Sequence, residues 1–173
     1  MADYYVSNTG NDASAGTTSA NAWETLAKVS TATLSSGDTV SFLCGDSWRE
    51  SLVVNGTGVT YQSYGSGDMP IFYGADVITG FSIYAGNIWR ASLASSPWQV
   101  YFDTTVGVHE SSSIGSISTD NEWKWATNWL YCYSTSSPET AFTAGGIQAS
   151  IREKGVYASG KENVTCNNLR ADQ

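Results

Sequence analysis

Ten residues set the pattern of this chain: Gly37-Asp38-Thr39-Val40-Ser41-Phe42-Leu43-Cys44-Gly45-Asp46. They read as a turn, a short strand of β-branched and apolar residues, and a second turn. Alternation along the strand places Val40, Phe42 and Cys44 on one face. The same unit returns at Glu50–Val54, Val59–Gln62 and Pro70–Tyr73, with Gly, Asp, Asn and Ser between the strands. Short strands at close and fairly even spacing restrict the chain to a coiled all-β stack or a β-sandwich. Periodicity alone does not separate the two.

At 173 residues the chain is long enough for one domain with its own core. Only 14% of its residues are charged, well under the usual quarter, and Ser, Thr, Gly and Asn take their place. Such a surface suits a rigid extracellular, secreted or virion-associated β protein. The formal charge of −8, with no basic stripe, argues against nucleic acid and anionic membrane surfaces as partners. No stretch is apolar enough to span a bilayer. The first residues, Met1-Ala2-Asp3-Tyr4, carry no signal peptide. Either a leader is missing from this sequence or the protein belongs to a virion or the cytosol.

Three cysteines, Cys44, Cys132 and Cys166, are scattered and read as small buried strand residues. One disulfide is compatible with three cysteines, and spacing does not say which pair would form it.

Asp3–Ser7 reads as a first strand. Asn21, with Glu24 three residues on, forms a variant capping box and predicts a helix from Ala22 to about Thr33. Its apolar stripe includes Trp23 and Leu26, and Gly37-Asp38 ends the segment.

These residues carry a resemblance. Tyr-Tyr-Val-Ser-x-x-Gly-Asn-Asp at residues 4–12, Ala-Trp-x-Thr-Leu-x-Lys at 22–28, Ser-Gly-Asp-Thr-Val at 36–40 and Trp-Arg-Glu at 48–50 resemble the N-terminal region of right-handed parallel β-helix proteins of the pectate-lyase-like class. Similar openings occur in β-helical polysaccharide lyases, glycoside hydrolases and phage tail-associated proteins. The resemblance implies an all-β fold: a short right-handed parallel β-helix with an N-terminal capping helix and an inserted antiparallel β subdomain. It also implies that catalytic residues, where the family has them, lie on coils beyond this chain.

The expected organisation has three parts. Residues 1–79 form the N-terminal cap and first coils. Residues 80–143, rich in Trp and Tyr, form the inserted antiparallel subdomain, with hairpins at Phe81–Leu93 and Glu122–Ser134. Residues 144–173 return to the coil, starting at Ile147–Ile151, and stop early. A solenoid needs about three repeats and a cap. An uncapped end therefore predicts a fragment, or an end covered by the chain's own inserted subdomain or by self-association with another copy.

The candidate sites are aromatic. Trp123, Trp125, Trp129, Tyr131 and, apart from them, Trp98 are carbohydrate-binding candidates, because rings held on a rigid sheet stack on the apolar faces of sugars. The competing reading makes them the core of a small subdomain. No carboxylate pair stands in a diagnostic glycosidase motif, although Asp120 with Glu122, Asp46 with Glu50, and Asp103 are candidate acids. Asn8, Asn11 and Asp12 could supply some oxygen ligands for Ca²⁺, but a single Asp is a poor donor set, and the loop reads more simply as an Asx turn. The expectation is no metal and no cofactor. His109, the sole histidine, stands beside Glu110 without a nucleophile. The function that follows is a non-catalytic carbohydrate-binding or scaffold module of a polysaccharide-active β-helix protein, with a polysaccharide as partner and no catalysis within these residues. The alternatives are a fragment of a lyase or glycoside hydrolase and a phage tail or virion structural protein.

Overall fold

A computed structural model describes residues 1–172. The chain divides into two compact units: residues 1–74 together with 154 onward, and residues 75–153. Strands dominate both.

In the first unit, β1 (Asp3–Val6) pairs in parallel with β2 (Thr39–Leu43). The chain then passes through β3 (Ser47–Trp48) and β4 (Leu52–Val53) before β5 (Thr60–Tyr64) lies parallel beside β2, with Val40 opposite Tyr61. Next, β6 (Ile71–Tyr73) lies parallel beside β3, with Trp48 opposite Phe72. Each circuit thus visits three separate sheets, and each new strand is laid under its counterpart. Val40, Phe42, Trp48, Leu52, Val59, Tyr61 and Phe72 are buried in one core. Phe42, Trp48 and Phe72 meet ring to ring at 5.1–5.8 Å. Burial pushes the Tyr61 phenol above its ordinary value, and its oxygen accepts the Asn55 amide at 3.0 Å.

The helix is shorter than the capping box predicts. A single 3₁₀ turn covers Ser19–Asn21, and α1 runs only from Leu26 to Thr31. Between them Trp23 is extended. Its N–H donates to the Tyr5 carbonyl at 2.9 Å, and its carbonyl accepts the Ser7 N–H at 2.9 Å. Pairing with β1 therefore outcompetes the helical alternative at Ala22–Glu24. The indole stacks on Tyr4 at 4.7 Å and donates to the Ser14 carbonyl at 3.1 Å. The helix is capped by Thr25, whose hydroxyl accepts the Lys28 N–H. Asp12 braces that turn: one oxygen accepts the Glu24 and Thr25 amides at 2.7 and 3.0 Å, the other the Thr25 hydroxyl at 2.6 Å. Asn11 accepts the Ala13 amide as an Asx turn. Asp38, buried in the turn before β2, accepts the Ala2 and Ser35 amides.

The second unit follows β6. Its strands are β7 (Ala75–Ile78), β8 (Ser82–Ala85), β9 (Ile88–Ser92), β10 (Gln99–Phe102), β11 (Thr105–Val106), β12 (Val108–His109), β13 (Glu122–Ala126), β14 (Trp129–Tyr133) and β15 (Ile147–Ser150). They form a four-stranded sheet, β11-β10-β15-β7, and a five-stranded sheet, β12-β13-β14-β9-β8. Pairing is antiparallel except between β12 and β13. Both expected hairpins form, turning at Gly86-Asn87 and at Thr127-Asn128. The 147–151 strand is a correction. It was expected to resume the parallel coil, yet β15 lies antiparallel between β10 and β7. Its Ile147 and Ala149 are buried with Val100 and Phe102, and that apolar match fixes its place. The boundaries accordingly fall at 74/75 and 153/154, rather than at the expected 79/80 and 143/144.

The chain then returns to the first unit. β16 (Val156–Tyr157) lies parallel to β4, β17 (Thr165–Asn167) to β5, and β18 (Arg170–Asp172) to β6. The second unit therefore interrupts the circuit between β6 and β16. All three cysteines are free. Only Cys132 is buried, and burial pushes its thiol up to about 12. Cys44, at the mouth of the Gly45 turn, is half-buried and Cys166 is exposed, which corrects the expectation of three buried strand residues.

Partial burial raises the Asp12 carboxyl, but the hydrogen bonds from Thr25 and Glu24 and the charge of Lys28 outweigh it, leaving it below its ordinary 3.8. Its stabilisation is thus present above that value and is lost as pH falls through the lower native one. Asp12→Asn should lose about 1 kcal/mol at neutral pH and show a shallower loss of thermal stability below about pH 4, read by circular dichroism. Gly16 has φ +75°, and a Cβ there would lie 2.4 Å from the Trp23 ring. Gly16→Ala should therefore destabilise the fold by about 1–3 kcal/mol in chemical denaturation.

Candidate functional site

The five-stranded sheet separates the aromatic candidates. Register places Trp123 opposite Cys132 and Trp125 opposite Leu130, while Tyr131 stands opposite Lys124. Alternation then puts Trp123 and Trp125 on one face and Trp129, Tyr131 and Tyr133 on the other. The first face is core. Trp123 is 3% exposed and packs with Ala91, Val100, Phe102, Leu130 and Cys132. Trp125 and Trp89 are half-buried beside them, and their indole N–H groups donate to the Leu93 and Ser134 carbonyls at 2.8 and 2.9 Å. On the opposite face Tyr131 is buried with Ile88 and Ile117, and Trp129 and Tyr133 pack at its edge. The five aromatics close in sequence therefore form no single strip.

Trp98 differs from all of them. It precedes β10, held by its backbone N–H to the Ser150 carbonyl at 2.9 Å, and its side chain is 73% exposed. A large aromatic left in water is the unusual case. Beside it runs a groove of about 310 Å³ lined by Ser96, Pro97, Trp98, Gln99, His109 and Trp123. Two of the predicted residues, Trp98 and Trp123, thus meet at one place, one as an exposed ring and the other as part of the wall.

The groove is built by close backbone approach. Gly107 carries β12 past β10, since a Cβ there would lie 2.7 Å from the Val100 carbonyl and 2.8 Å from the Trp123 ring. His109 then comes to lie on Trp123, ring centres 4.6 Å apart. Gln99 is fixed by donating its amide to the Val100 and Gly107 carbonyls at 2.9 and 2.7 Å. The Trp123 indole N–H is buried without a hydrogen-bond partner. The site offers a flat apolar ring, an imidazole and a serine hydroxyl along a shallow cleft. Sequence alone does not bring His109 to Trp123, because that meeting depends on the β12–β13 register.

Four of the candidate acids, Asp46, Glu50, Asp103 and Glu122, accept main-chain amides. Asp46 accepts the Asn8 amide and Glu50 that of Ala27. Asp103, at φ 53°, accepts Gly145 and Gly146. Glu122 accepts Ser118 and Thr119, and these bonds hold its carboxyl below the ordinary range. Glu110 accepts the Ser112 amide at 2.6 Å. Among the described residues, no group of three or more His, Cys, Asp or Glu is placed to hold a metal ion.

No protein-family model matches the chain, and no curated protein matches it in sequence. Among solved structures it is similar to XylC, determined in complex with xylose, at 15% identity and a TM-score of 0.78, over 98% of this chain and 35% of that one. It is also similar to a GH136 lacto-N-biosidase from Eubacterium ramulus, at 20% identity and a TM-score of 0.48 over 98% of this chain and 20% of that one. A structure described as a glycoside hydrolase aligns at 15% identity and a TM-score of 0.44, over 68% of this chain and 23% of that one. The likeness to XylC is one of fold. This chain spans about a third of its length.

Exposure separates the two indoles of the groove. Trp123→Ala should destabilise the protein by about 3–5 kcal/mol in denaturant unfolding, whereas Trp98→Ala should change stability by less than about 0.5 kcal/mol.

Proposed function

We propose that this chain is a non-catalytic carbohydrate-binding and scaffold module of a polysaccharide-active protein, secreted or virion-associated. Its first unit is the capped beginning of a right-handed parallel β-helix of the pectate-lyase-like class. The observation that carries the binding reading is Trp98, 73% exposed beside a groove walled by the buried Trp123. An indole in this position stacks on the C–H face of a sugar at low entropic cost. The fold likeness to a protein solved with xylose supports a neutral sugar as the ligand class. The engagement of Asp46, Glu50, Asp103 and Glu122 with backbone amides favours binding over hydrolysis. For the scaffold, the support is the three-sheet parallel circuit of β2 to β6 and its continuation in β16 to β18.

Affinity electrophoresis in gels containing xylan or other neutral polysaccharides tests the binding reading. Retardation by at least one polysaccharide, lost in Trp98→Ala and kept in Met69→Ala, an exposed apolar position outside the groove, is expected. Equal mobility with and without every polysaccharide would remove it.

A further inference from the structure

The far face of the five-stranded sheet carries a cation without an anion. Arg90 in β9 stands opposite Tyr131 in β14, which stands opposite Lys124 in β13. The two cations thus share one cross-strand row. The Arg90 guanidinium lies 4.4 Å from the Trp129 ring and 5.5 Å from that of Tyr84. Tyr84 itself meets Tyr131 edge-on at 5.0 Å. Arg90 Nε is sealed from solvent without a hydrogen-bond partner. No carboxylate among the described residues pairs with the guanidinium.

That is unexpected in this chain, which has 16 acidic residues and 8 Lys and Arg. Arg152 and Arg170 each hold an aspartate, Asp76 and Asp172. Two acids on or beside the same sheet are engaged elsewhere: Glu110 with the Ser112 amide, and Glu122 with the Ser118 and Thr119 amides. Lys124 donates to a carbonyl, that of Glu110, rather than to a carboxylate. Rings beside a guanidinium fix its plane, displace water from its faces and leave its edge N–H groups as donors. With Nε sealed, the pair of terminal Nη groups is the edge that matches a planar carboxylate. Next to them stand groups suited to sugar hydroxyls: Ser82, the Tyr133 hydroxyl and the Asn87 amide, the last two bonded at 3.1 Å.

We propose that Arg90, flanked by Tyr84 and Trp129, is a subsite for the carboxylate of a single hexuronate within an otherwise neutral oligosaccharide. The inference rests on the carbohydrate reading but concerns different residues from the Trp98 groove. A lone uronate is specified by charge, since a chain of net −8 repels a polyanion at long range.

Calorimetric titration of the full chain tests it with three probes: a neutral oligosaccharide bearing one glucuronate, the same compound carboxyl-reduced, and acetate. The acidic form should bind at least tenfold more tightly than the reduced form. Arg90→Gln should abolish that preference, and Arg90→Lys should restore it only in part. Tyr84→Ala, at an exposed position, should weaken it several-fold and serves if Arg90→Gln does not fold. Equal affinity for the two forms, no binding of the acidic form, a preference kept in both Arg90→Gln and Tyr84→Ala, or acetate binding as tightly as the glucuronate compound would each overturn the proposal. Loss of neutral binding in Trp98→Ala with the acidic form still bound would separate the two sites.

Discussion

The first unit depends on how its leading strand edge is closed. A stack of parallel strands offers unpaired N–H and C=O groups at its start, and an apolar interior behind them. Here β1 pairs with β2, and Trp23 adds one further rung against β1 while its ring covers Tyr4. The same residue fastens the loop before it through its indole bond to Ser14. Gly16 and Asp12 are consequences of that arrangement: the first gives the indole room, and the second holds the chain where it turns from Trp23 into the helix. Below this closure the column of Val40 on Tyr61 and of Trp48 on Phe72 sets the register of successive circuits.

Much of this was legible in the residues. The turn–strand–turn unit at Gly37–Asp46 fixed an all-β chain, and the Gly-Asn and Thr-Asn turns marked two hairpins of the second unit. What the sequence could not show were choices made by pairing partners. The Asn21–Glu24 box predicts a helix start that Trp23 overrides, because two main-chain bonds to β1 favour the extended form. Ile147–Ser150 has the composition of a coil strand, yet the apolar faces of β7 and β10 take it into an antiparallel sheet. No local propensity distinguishes those outcomes.

The aromatic residues show the same limit at the site. Alternation separates Trp123 and Trp125 from Tyr131 and Tyr133 correctly, but it does not say which face is core. Only the second sheet, with Val100, Phe102 and Ile147, decides that. Trp98, which in sequence is one tryptophan among seven, is the one left largely in water. Trp123 is wall and floor for it, and His109 reaches that wall through the β12–β13 register. The binding reading thus moves from a cluster in sequence to a single exposed ring on a rigid support.

That reading is tested most directly by following the seven indole N–H resonances of the protein during titration with xylose oligomers. The account predicts that the Trp98 resonance shifts in a saturable way while those of Trp89 and Trp125, bonded to carbonyls in the second unit, stay fixed. A Trp98 resonance that does not move at saturating sugar, or a response confined to the buried indoles, would contradict it.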